Sequence, residues 1–303
     1  MKQEVFCNGG NNYAFKHPPK EYEDACICDT RDKKSEAPVT KKEEACKIVD
    51  GILNGKSATD DIDGCKPKEN YKPWNCDEIG SLIKKEEKGA CMPPRRQKLC
   101  VSGLTREDRI KAIEDIRTEF IKSAAIETHF AWERYKRENR EANEQLQNET
   151  IPYDFLRSMK YTFGDYRDIF FGTDISSCLF IKGTSNEIKS KLGDQATTEK
   201  GGKHPNGKTR QEWWKTNGPD IWEGMLCALT HGVTNTEKKT KIKTDYSYDK
   251  LNQSKNGNPS LENFAKKPQF LRWMIEWGEE FCREREKLEQ NIGKHCGEHS
   301  GDA

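Results

Sequence analysis

The chain has 303 residues, with 52 Lys and Arg against 51 Asp and Glu, and its formal net charge is therefore +1. Hydrophobic residues make up only 33% of the chain and charged residues 34%, which favours helices with narrow buried faces over a thick β-core. The near-neutral balance argues against a nucleic-acid-binding protein, and the sequence contains no run of the roughly 18 apolar residues that a membrane span requires.

The twelve cysteines are an even number spread along the chain, which predicts a disulfide framework and an oxidising compartment. A zinc site would need paired cysteines at ligand spacing, whereas the one close pair is Cys26 and Cys28. The opening MKQEVFCNGG lacks the apolar run of a secretory signal. We therefore expect the chain to be a piece of a larger exported protein.

The first 103 residues are predicted to be mostly irregular. Residues 1–45 are polar and rich in Lys, Glu and Pro, and they have the composition of a linker held by cysteines. The apolar burst CKIVDGIL, which begins at Cys46, predicts one or two helical turns that end at Asn54 and Gly55. The stretch that follows, to residue 103, is predicted to consist of loops tied by disulfides.

Two amphipathic helices are predicted next. Thr105-Arg-Glu-Asp108 resembles a capping box, and the apolar spacing after it predicts a helix of roughly 35 to 40 residues. A second helical pattern begins at Pro152. Its apolar residues share one face and are Phe155, Met159, Phe163, Tyr166 and Phe170.

The last third of the chain alternates predicted loops and helices. Residues 183–210 and about 233–260 are polar, and we expect a mobile loop in the first of these ranges. Between them, QEWWKTNGPDIWEGMLCALTHG predicts a helix that carries Cys227 and packs its tryptophans in the core. The last predicted helix is PQFLRWMIEWGEEFCREREKLEQ. Its expected buried side consists of Phe270, Trp273, Met274, Trp277 and Phe281.

Three residue groups have the spacing of chemical sites, but none predicts an enzyme. Residues 202–209 match the phosphate-loop pattern, yet no apolar strand precedes them, so we interpret them as a flexible basic loop. His129 and Glu133 have metal-ligand spacing without a second histidine nearby. Asp165, Asp168 and Asp174 lack a nucleophile motif and are interpreted as ordinary helix-end charges.

The cysteines and several sequence motifs follow each other in a characteristic order. Cys65, Cys76, Cys91 and Cys100 occur in DIDGCKPKENYKPWNC and CMPPRRQKLC, followed by FLRSMKYTFGDYRDIFFGTDI, GPDIWEGMLCAL and QFLRWMIEWGEEFCRER. This order resembles the Duffy-binding-like adhesion domain of malaria parasites. The combination is most similar to domains of the Plasmodium falciparum erythrocyte membrane protein 1 family. Within that family, NGKSATDDIDGCKP and FFGTDISS resemble the epsilon or zeta types.

This resemblance implies an all-α, disulfide-stapled fold with long helices and extended loops. It implies a linker (1–45), a loop-rich subdomain 1 (46–103), a helical subdomain 2 (104–234) and a partial helical subdomain 3 (235–303). It also implies a nested pairing of Cys76 with Cys91 inside Cys65 with Cys100. We expect Cys178 and Cys227 to belong to disulfides as well. The family's third subdomain continues with a second long helix, so we expect the last subdomain here to be truncated.

The function implied is that of a non-enzymatic adhesion or immune-evasion domain without a cofactor, exposed on infected erythrocytes beside neighbouring domains of the same adhesin. The epsilon- or zeta-like type favours the Fc part of human immunoglobulin M as ligand. The alternatives are a sulfated glycosaminoglycan such as chondroitin or heparan sulfate, intercellular adhesion molecule, and a structural spacer without a ligand. Neither nucleic acid nor membrane insertion of this segment is expected.

Two basic groups are candidates for binding a glycosaminoglycan. The first lies in the basic loop and consists of Lys200, Lys203, Lys208 and Arg210; the second ends the long helix and consists of Arg134, Lys136, Arg137 and Arg140. The alternative for the second group is a solvated face balanced by Glu133 and Glu138. The arginine pair between Cys91 and Cys100 is instead expected to anchor its loop to the acidic helices by bidentate pairing that lysine would not reproduce.

Overall fold

The computed structural model describes residues 43–76, 82–193, 209–253 and 259–297, with side chains as far as Glu289 in the last range. Residues from Glu44 onward belong to one compact unit. The described residues are all-α, with isolated β-bridges but no strand. The helices are α1 (Ala45–Leu53), α2 (Pro94–Gln97), α3 (Ser102–Thr105), α4 (Ile113–Glu138), α5 (Ala142–Gln147), α6 (Tyr153–Phe171), α7 (Leu179–Leu192), α8 (Arg210–Leu229), α9 (Thr236–Asp245), α10 (Tyr248–Asn252), α11 (Leu261–Ala265) and α12 (Gln269–Gly297).

The core forms where the long helices α4 and α8 pack along each other. Their approach depends on Gly224 of α8, because a β-carbon there would lie 2.9 Å from the side chain of Ile121 in α4. Helix α1 packs against both, and the disulfide between Cys46 and Cys227 joins α1 to α8. Packing therefore holds α1 to both long helices, and a covalent bond also joins it to α8.

Helix α6 buries the aromatic face predicted from its sequence. Phe155, Met159, Phe163, Tyr166 and Phe170 are all buried. Phe163 and Phe170 pack against the tryptophans of α8, with 4.6 Å between the ring centres of Phe170 and Trp213. The prediction that the tryptophans of α8 serve the core is confirmed.

The segment between α1 and α4 is loop-rich, as predicted, and nested disulfides hold it. Cys76 is bonded to Cys91 inside the bond between Cys65 and Cys100, which confirms the pairing implied by the family resemblance. The hydroxyl of Tyr166 in α6 lies 2.6 Å from the carbonyl oxygen of Cys100, so the outer disulfide is also held by the helical body.

The two other cysteines expected in disulfides behave differently from each other. Cys227 is disulfide-bonded, with Cys46 as its partner. Cys178 carries a free thiol among the described residues, so its assignment to a disulfide is corrected. Cys282 is free and exposed there too. Cys7, Cys26, Cys28 and the side chain of Cys296 lie outside the described part of the chain.

The predicted start of the long helix at Thr105 is wrong. Helix α4 begins at Ile113 and has 26 residues. The carboxylate of Asp115 accepts hydrogen bonds from the backbone N–H groups of Lys111 and Ala112, at 3.0 and 2.8 Å, and this fixes the start of the helix. It ends at Glu138, and the side-chain amide of the following residue, Asn139, donates to the carbonyl of Tyr135.

The loop predicted over residues 183–210 is wrong in its first part, since α7 continues to Leu192. Two polar residues fit into this helix because their hydroxyls are satisfied by buried carbonyls. Thr184 donates to Leu104 at 2.7 Å, and Ser185 donates to Ile169 at 2.6 Å. Residues 194–208 lie outside the described part of the chain.

The loop predicted over about 233–260 contains the helices α9 and α10. Capping side chains start both of them: the side-chain oxygen of Asn235 accepts from the N–H of Lys238, and that of Ser247 accepts from Lys250. Within α9 only Ile242 is buried, and α10 has no buried residue. An apolar pattern this sparse gives almost no helical signal.

Helix α12 is present as predicted, but its expected buried side is not. Trp273 is 1% exposed, whereas Trp277 is 49% exposed. Phe270, Met274 and Phe281 are exposed as well. No helix among the described residues combines the length and the hydropathy needed to cross a bilayer.

Candidate interaction site

Arg95, between Cys91 and Cys100, is buried at the junction of α2, α6 and α12. Its guanidinium donates to both oxygens of Glu276, from Nε and Nη2 at 3.0 Å each. Its Nη1 donates to Asp165 at 2.8 Å. The bidentate anchoring predicted for this loop is observed, and it uses the planar geometry that only arginine offers.

Arg96 enters the same buried region and pairs with Asp174. Its Nη2 donates to the carboxylate at 2.7 Å. The same carboxylate also accepts from the amide of Gln269 at 3.0 Å and from the hydroxyl of Ser176. Asp174 is thereby saturated by protein donors, so it does not offer a free negative charge to a ligand.

Arg272 of α12 completes this buried arginine cluster, which we define as Arg95, Arg96 and Arg272. It is fully buried and pairs with Asp165 and Asp168. Gly164 makes room for it, because a β-carbon there would lie 2.6 Å from Nε of Arg272. The glycine of the sequence FGDYRD therefore leaves space for an arginine side chain from another helix.

The pKa values in the cluster reflect a balance between burial and charge. Burial alone would raise the pKa of Asp165, but Arg95 and Arg272 outweigh it and hold that pKa below its usual value. At Asp168 burial is the larger effect and raises the pKa to about 6, despite the pairing with Arg272. Burial also raises the pKa of Glu276, against the opposing charge of Arg95.

The three aspartates are thus buried members of a structural cluster rather than the helix-end charges expected from the sequence. Each has an arginine partner among Arg95, Arg96 and Arg272, all contributed by segments distant in the chain. A perturbed carboxyl pKa here has a structural explanation, since buried ion pairs shift pKa values without any catalytic role.

Of the four candidate residues at or just after the end of α4, three have described contacts with their neighbours. Arg134 binds Glu138 at 2.7 Å and stacks over the ring of Tyr71, with 3.7 Å between the guanidinium carbon and the ring centre. Lys136 binds Glu133 at 2.7 Å. Arg137 donates to the backbone carbonyl of Lys68, at 3.4 Å, and Arg140 is exposed. The described contacts match the solvated-face alternative.

The metal-ligand spacing of His129 and Glu133 does not lead to a described metal site. The ring of His129 lies against Phe130, and burial lowers the pKa of the imidazole. The one group of potential ligands that the described residues bring together contains Cys46, Glu223 and Cys227. Its two cysteines are bonded to each other, so their sulfurs are not thiolate ligands.

Of the basic-loop candidates, Lys200, Lys203 and Lys208 lie outside the described residues, together with most of the phosphate-loop pattern. Arg210 is described and is buried at the first position of α8. Its Nη1 donates to the carbonyl of Phe171 at 2.9 Å. The start of α8 is fixed by Thr209 and Glu212, whose side chains and backbone N–H groups bond reciprocally.

Arg210 lines a cavity of about 210 Å³ beside α7, which we call the cationic cavity. Among the described residues of its wall, the other basic ones are Lys84, Lys182 and Lys189, and the one carboxylate is that of Asp174, which protein donors already saturate. The volume is several times the ~30 Å³ that a water molecule occupies in the liquid, so a carboxylate or sulfate group fits. The cavity therefore suits an anionic group.

Sequence reasoning missed three of these four basic residues. Lys84 lies in the loop-rich segment, and Lys182 and Lys189 lie on α7, for which the sequence predicts no helix and, from residue 183 onward, a loop. Their spacing of seven residues on α7 places them on one face, and this was the available signal once the helix is recognised.

A sequence model of the Duffy binding domain family matches residues 89–272. The Duffy receptor of Plasmodium vivax (strain Salvador I) is 23% identical over 243 residues, which is 76% of this chain and 18% of that protein. The Duffy receptor gamma form of Plasmodium knowlesi is 22% identical over 260 residues, covering 82% of this chain and 20% of that protein. The chain thus spans about a fifth of these relatives.

Solved structures show the same fold. The ICAM-1-binding PfEMP1 IT4var13 DBLbeta domain has a TM-score of 0.53 and 23% identity, covering 87% of this chain and 61% of that one. The same domain bound to ICAM-1 gives 0.50 and 22%, covering 95% and 63%. Since the family model matches more than half of the residues, the chain belongs to the Duffy binding domain family.

Proposed function

We propose that this chain is a host-receptor adhesion domain of a malaria parasite surface protein and has no enzymatic activity. Membership of the Duffy binding domain family is the observation that carries the proposal. Relatives are named Duffy receptors, and a solved domain of the same fold has ICAM-1 bound. The nested disulfides and the buried arginine cluster support it, because they provide a rigid frame for surface loops and helices.

The proposed location of the domain rests on its membership of the Duffy binding domain family. The disulfides fit an oxidising, extracellular setting, and the domain acts within a larger membrane-anchored adhesin on the infected erythrocyte, beside further domains of that adhesin. The domain division at residues 46–103, 104–234 and 235–303 and the epsilon- or zeta-like type remain predictions.

The ligand we favour is the Fc part of human immunoglobulin M. This choice rests on the resemblance of NGKSATDDIDGCKP and FFGTDISS to epsilon- or zeta-like members. The test is a pull-down from human serum with the immobilised chain, with captured proteins identified by mass spectrometry and the Fc interaction then measured with purified Fc. Immunoglobulin M is expected among the captured proteins. Capture of intercellular adhesion molecule instead would replace this ligand.

A sulfated glycosaminoglycan is the second candidate, and the cationic cavity is the observation that favours it. Lys182 and Lys189 are exposed at this cavity and could contact sulfate groups. Chromatography on heparin separates the two ligand classes by salt. Binding that depends on several sulfates weakens steeply as the salt concentration rises, whereas a packed protein interface weakens mildly.

The two experiments together also test the spacer alternative. A chain that captures neither serum protein nor heparin would have no ligand of either class, and the adhesion proposal would then be wrong for this domain. A correctly folded sample is needed for that conclusion, and cooperative unfolding in urea provides the control.

A further inference from the structure

A carboxylate lies beside the disulfide that joins α1 to α8. The sulfurs of Cys46 and Cys227 and a carboxylate oxygen of Glu223 all lie within 4.8 Å of one another. Glu223 is exposed, and none of the described residues forms a salt bridge with it. Cysteine sulfur and carboxylate oxygen both bind Zn²⁺ in proteins, so this group has the donors of a zinc site once the bond is open.

The packing of the helices holds these three donors close together. Glu223 and Cys227 are four residues apart on α8, so they lie on the same face of that helix. Cys46 is the second residue of α1, and four apolar side chains of α1 are buried in the main core. The apolar packing of α1 therefore keeps Cys46 next to α8 when the disulfide is open.

The charges around the group suit two thiolates together with a divalent cation. Nζ of Lys243, on α9, lies 3.5 Å from the sulfur of Cys46. An ammonium at this distance and the N-terminal end of α1 both favour the thiolate form of Cys46. Two thiolates and the carboxylate of Glu223 carry three negative charges, which one Zn²⁺ and the ammonium of Lys243 balance.

The donor set favours zinc and distinguishes this disulfide from the two others that the structure describes. Thiolates are soft ligands that select zinc, whereas calcium and magnesium prefer oxygen. Glu223 is exposed and Cys46 is partly exposed, which gives a metal ion access from solvent. Among the described residues, neither of the other two disulfides has a third potential ligand at such a distance.

We propose that Cys46, Cys227 and Glu223 form a zinc site when the disulfide between the two cysteines is reduced. Reduction by a dithiol gives this bond two electrons and two protons, so that two thiols form while the dithiol becomes a disulfide. Zn²⁺ then displaces both thiol protons and binds the sulfurs as thiolates, with Glu223 as the third ligand and water as the fourth. The metal thus joins α1 to α8 where conditions are too reducing for the disulfide.

The test measures how fast each cysteine of the reduced chain is alkylated. The full chain is reduced with a phosphine and treated with iodoacetamide, with and without Zn²⁺, and the modified peptides are quantified by mass spectrometry. At a Zn²⁺ concentration about ten times the Kd, alkylation of Cys46 and Cys227 should slow about tenfold. Cys282, an exposed free thiol, should keep its rate, and Cys65 and Cys100 should be protected less.

Two variants test the third ligand. Glu223→Gln removes the carboxylate, and Glu237→Gln, an exposed position on α9, is the control. The first should raise the Zn²⁺ concentration for half protection by about tenfold, while the control leaves it unchanged. An unchanged alkylation rate of Cys46 with Zn²⁺, equal protection of Cys46 and Cys65, or equal protection in both variants would each overturn the site.

Reduction also opens the other disulfides, so a further pair of variants tests the site with those bonds intact. Cys46→His prevents the bond to Cys227 without any reductant and replaces one sulfur with an imidazole, which also binds zinc. Zn²⁺ should raise the thermal midpoint of this variant, because the three donors are close together only in the folded chain. No rise for Cys46→His, or an equal rise for Cys46→Ala, would overturn the site.

Discussion

The buried arginine cluster and the cationic cavity both contact Asp174, but through different atoms and in different surroundings. Arg96 binds the carboxylate of this residue in the interior, whereas Lys84 donates to its backbone carbonyl from the wall of the cavity. In the cluster every arginine has a carboxylate partner. In the cavity the two lysines of α7 are exposed.

The difference follows from the chemistry of the two side chains. A guanidinium is planar, weakly hydrated and able to bind two carboxylates at once, so it can be buried. An ammonium is strongly hydrated, so it remains more easily at the surface. The cluster should therefore determine stability and the cavity should determine binding, and variants in one region should leave the property of the other unchanged.

The largest effect is expected from Arg95→Ala. This change removes the main partner of the buried Asp165, which keeps only the 3.3 Å contact with Arg272 among its ion pairs, and also the partner of the partly buried Glu276. Breaking a buried pair in this way costs about 3–5 kcal/mol of unfolding free energy. Arg95→Lys should recover only part of it, since an ammonium cannot serve both carboxylates in the same geometry. The measurement is urea unfolding followed by circular dichroism.

The matched control is Lys182→Ala, which is expected to change the unfolding free energy by less than about 0.5 kcal/mol. A loss of less than about 1 kcal/mol for Arg95→Ala would contradict the structural role of the cluster, because a buried carboxylate that loses its main partner is costly.

The second prediction concerns the disulfide that holds the arginine loop. Replacing Cys76 and Cys91 together with Ser opens a bridge between residues 15 positions apart. A loop of this size is worth about 3 kcal/mol in the chain-entropy account, so a clear fall in the thermal midpoint is expected. Cys178→Ser is the control, since that thiol is free, and it should leave the midpoint nearly unchanged. Equal midpoints for all three proteins would argue against this bond.

The third prediction uses two glycines in neighbouring helices. Gly164→Ala in α6 places a β-carbon against the buried Arg272, and overpacking of this kind costs about 1–3 kcal/mol. Gly183→Ala in α7 meets nothing within 4 Å and should instead stabilise the helix by about 0.5–1 kcal/mol. A lower thermal midpoint for Gly164→Ala and a higher one for Gly183→Ala would confirm that Arg272 leaves no space for a β-carbon at Gly164, and that there is space for one at Gly183. A stabilising effect of both changes would contradict the close approach of Arg272.

The sequence predicted that the arginine pair anchors its loop, but it predicted neither the aspartate partners and Arg272 in the cluster nor the cavity. The arginine pair lies close in the chain to Cys76 and Cys91, and the resemblance of this segment to a known family implied the disulfide between these two cysteines. The wall of the cavity contains Lys84 and Arg210, which are far apart in the chain. Lys182 and Lys189 line the same wall because α7 is helical. Thr184 and Ser185 made α7 resemble a loop, because their satisfaction by buried carbonyls is a tertiary property.

The prediction of a buried apolar face on α12 was wrong for a related reason. The spacing of Trp273 and Trp277 predicted the helix correctly, but periodicity does not tell which apolar residues meet a partner. Trp273 packs with Ile83 and Met92 of the loop-rich segment, while Trp277 is half exposed and stacks on Phe281. Amphipathicity thus predicts a face without predicting what covers it.

The smallest expected effect is a pH dependence that arises from Asp168 in the cluster. Its pKa is raised from 3.8 to about 6 by burial, so the folded state binds more protons than the unfolded state between these values. The contribution of this group to stability is therefore greatest at low pH and is lost as the pH rises through about 6. From the two pKa values, raising the pH from about 5 to about 6.5 should cost roughly 1 kcal/mol.

Asp168→Asn removes this titration while retaining a side chain of the same size beside Arg272 and Thr173. Urea unfolding of both proteins at pH 5 and at pH 6.5 gives the difference between their pH dependences, in which contributions from the other titrating groups, such as His129, cancel. We expect the native chain to lose about 1 kcal/mol more than the variant over this interval. Equal losses would mean that the charge of Arg272 fully offsets the burial of Asp168.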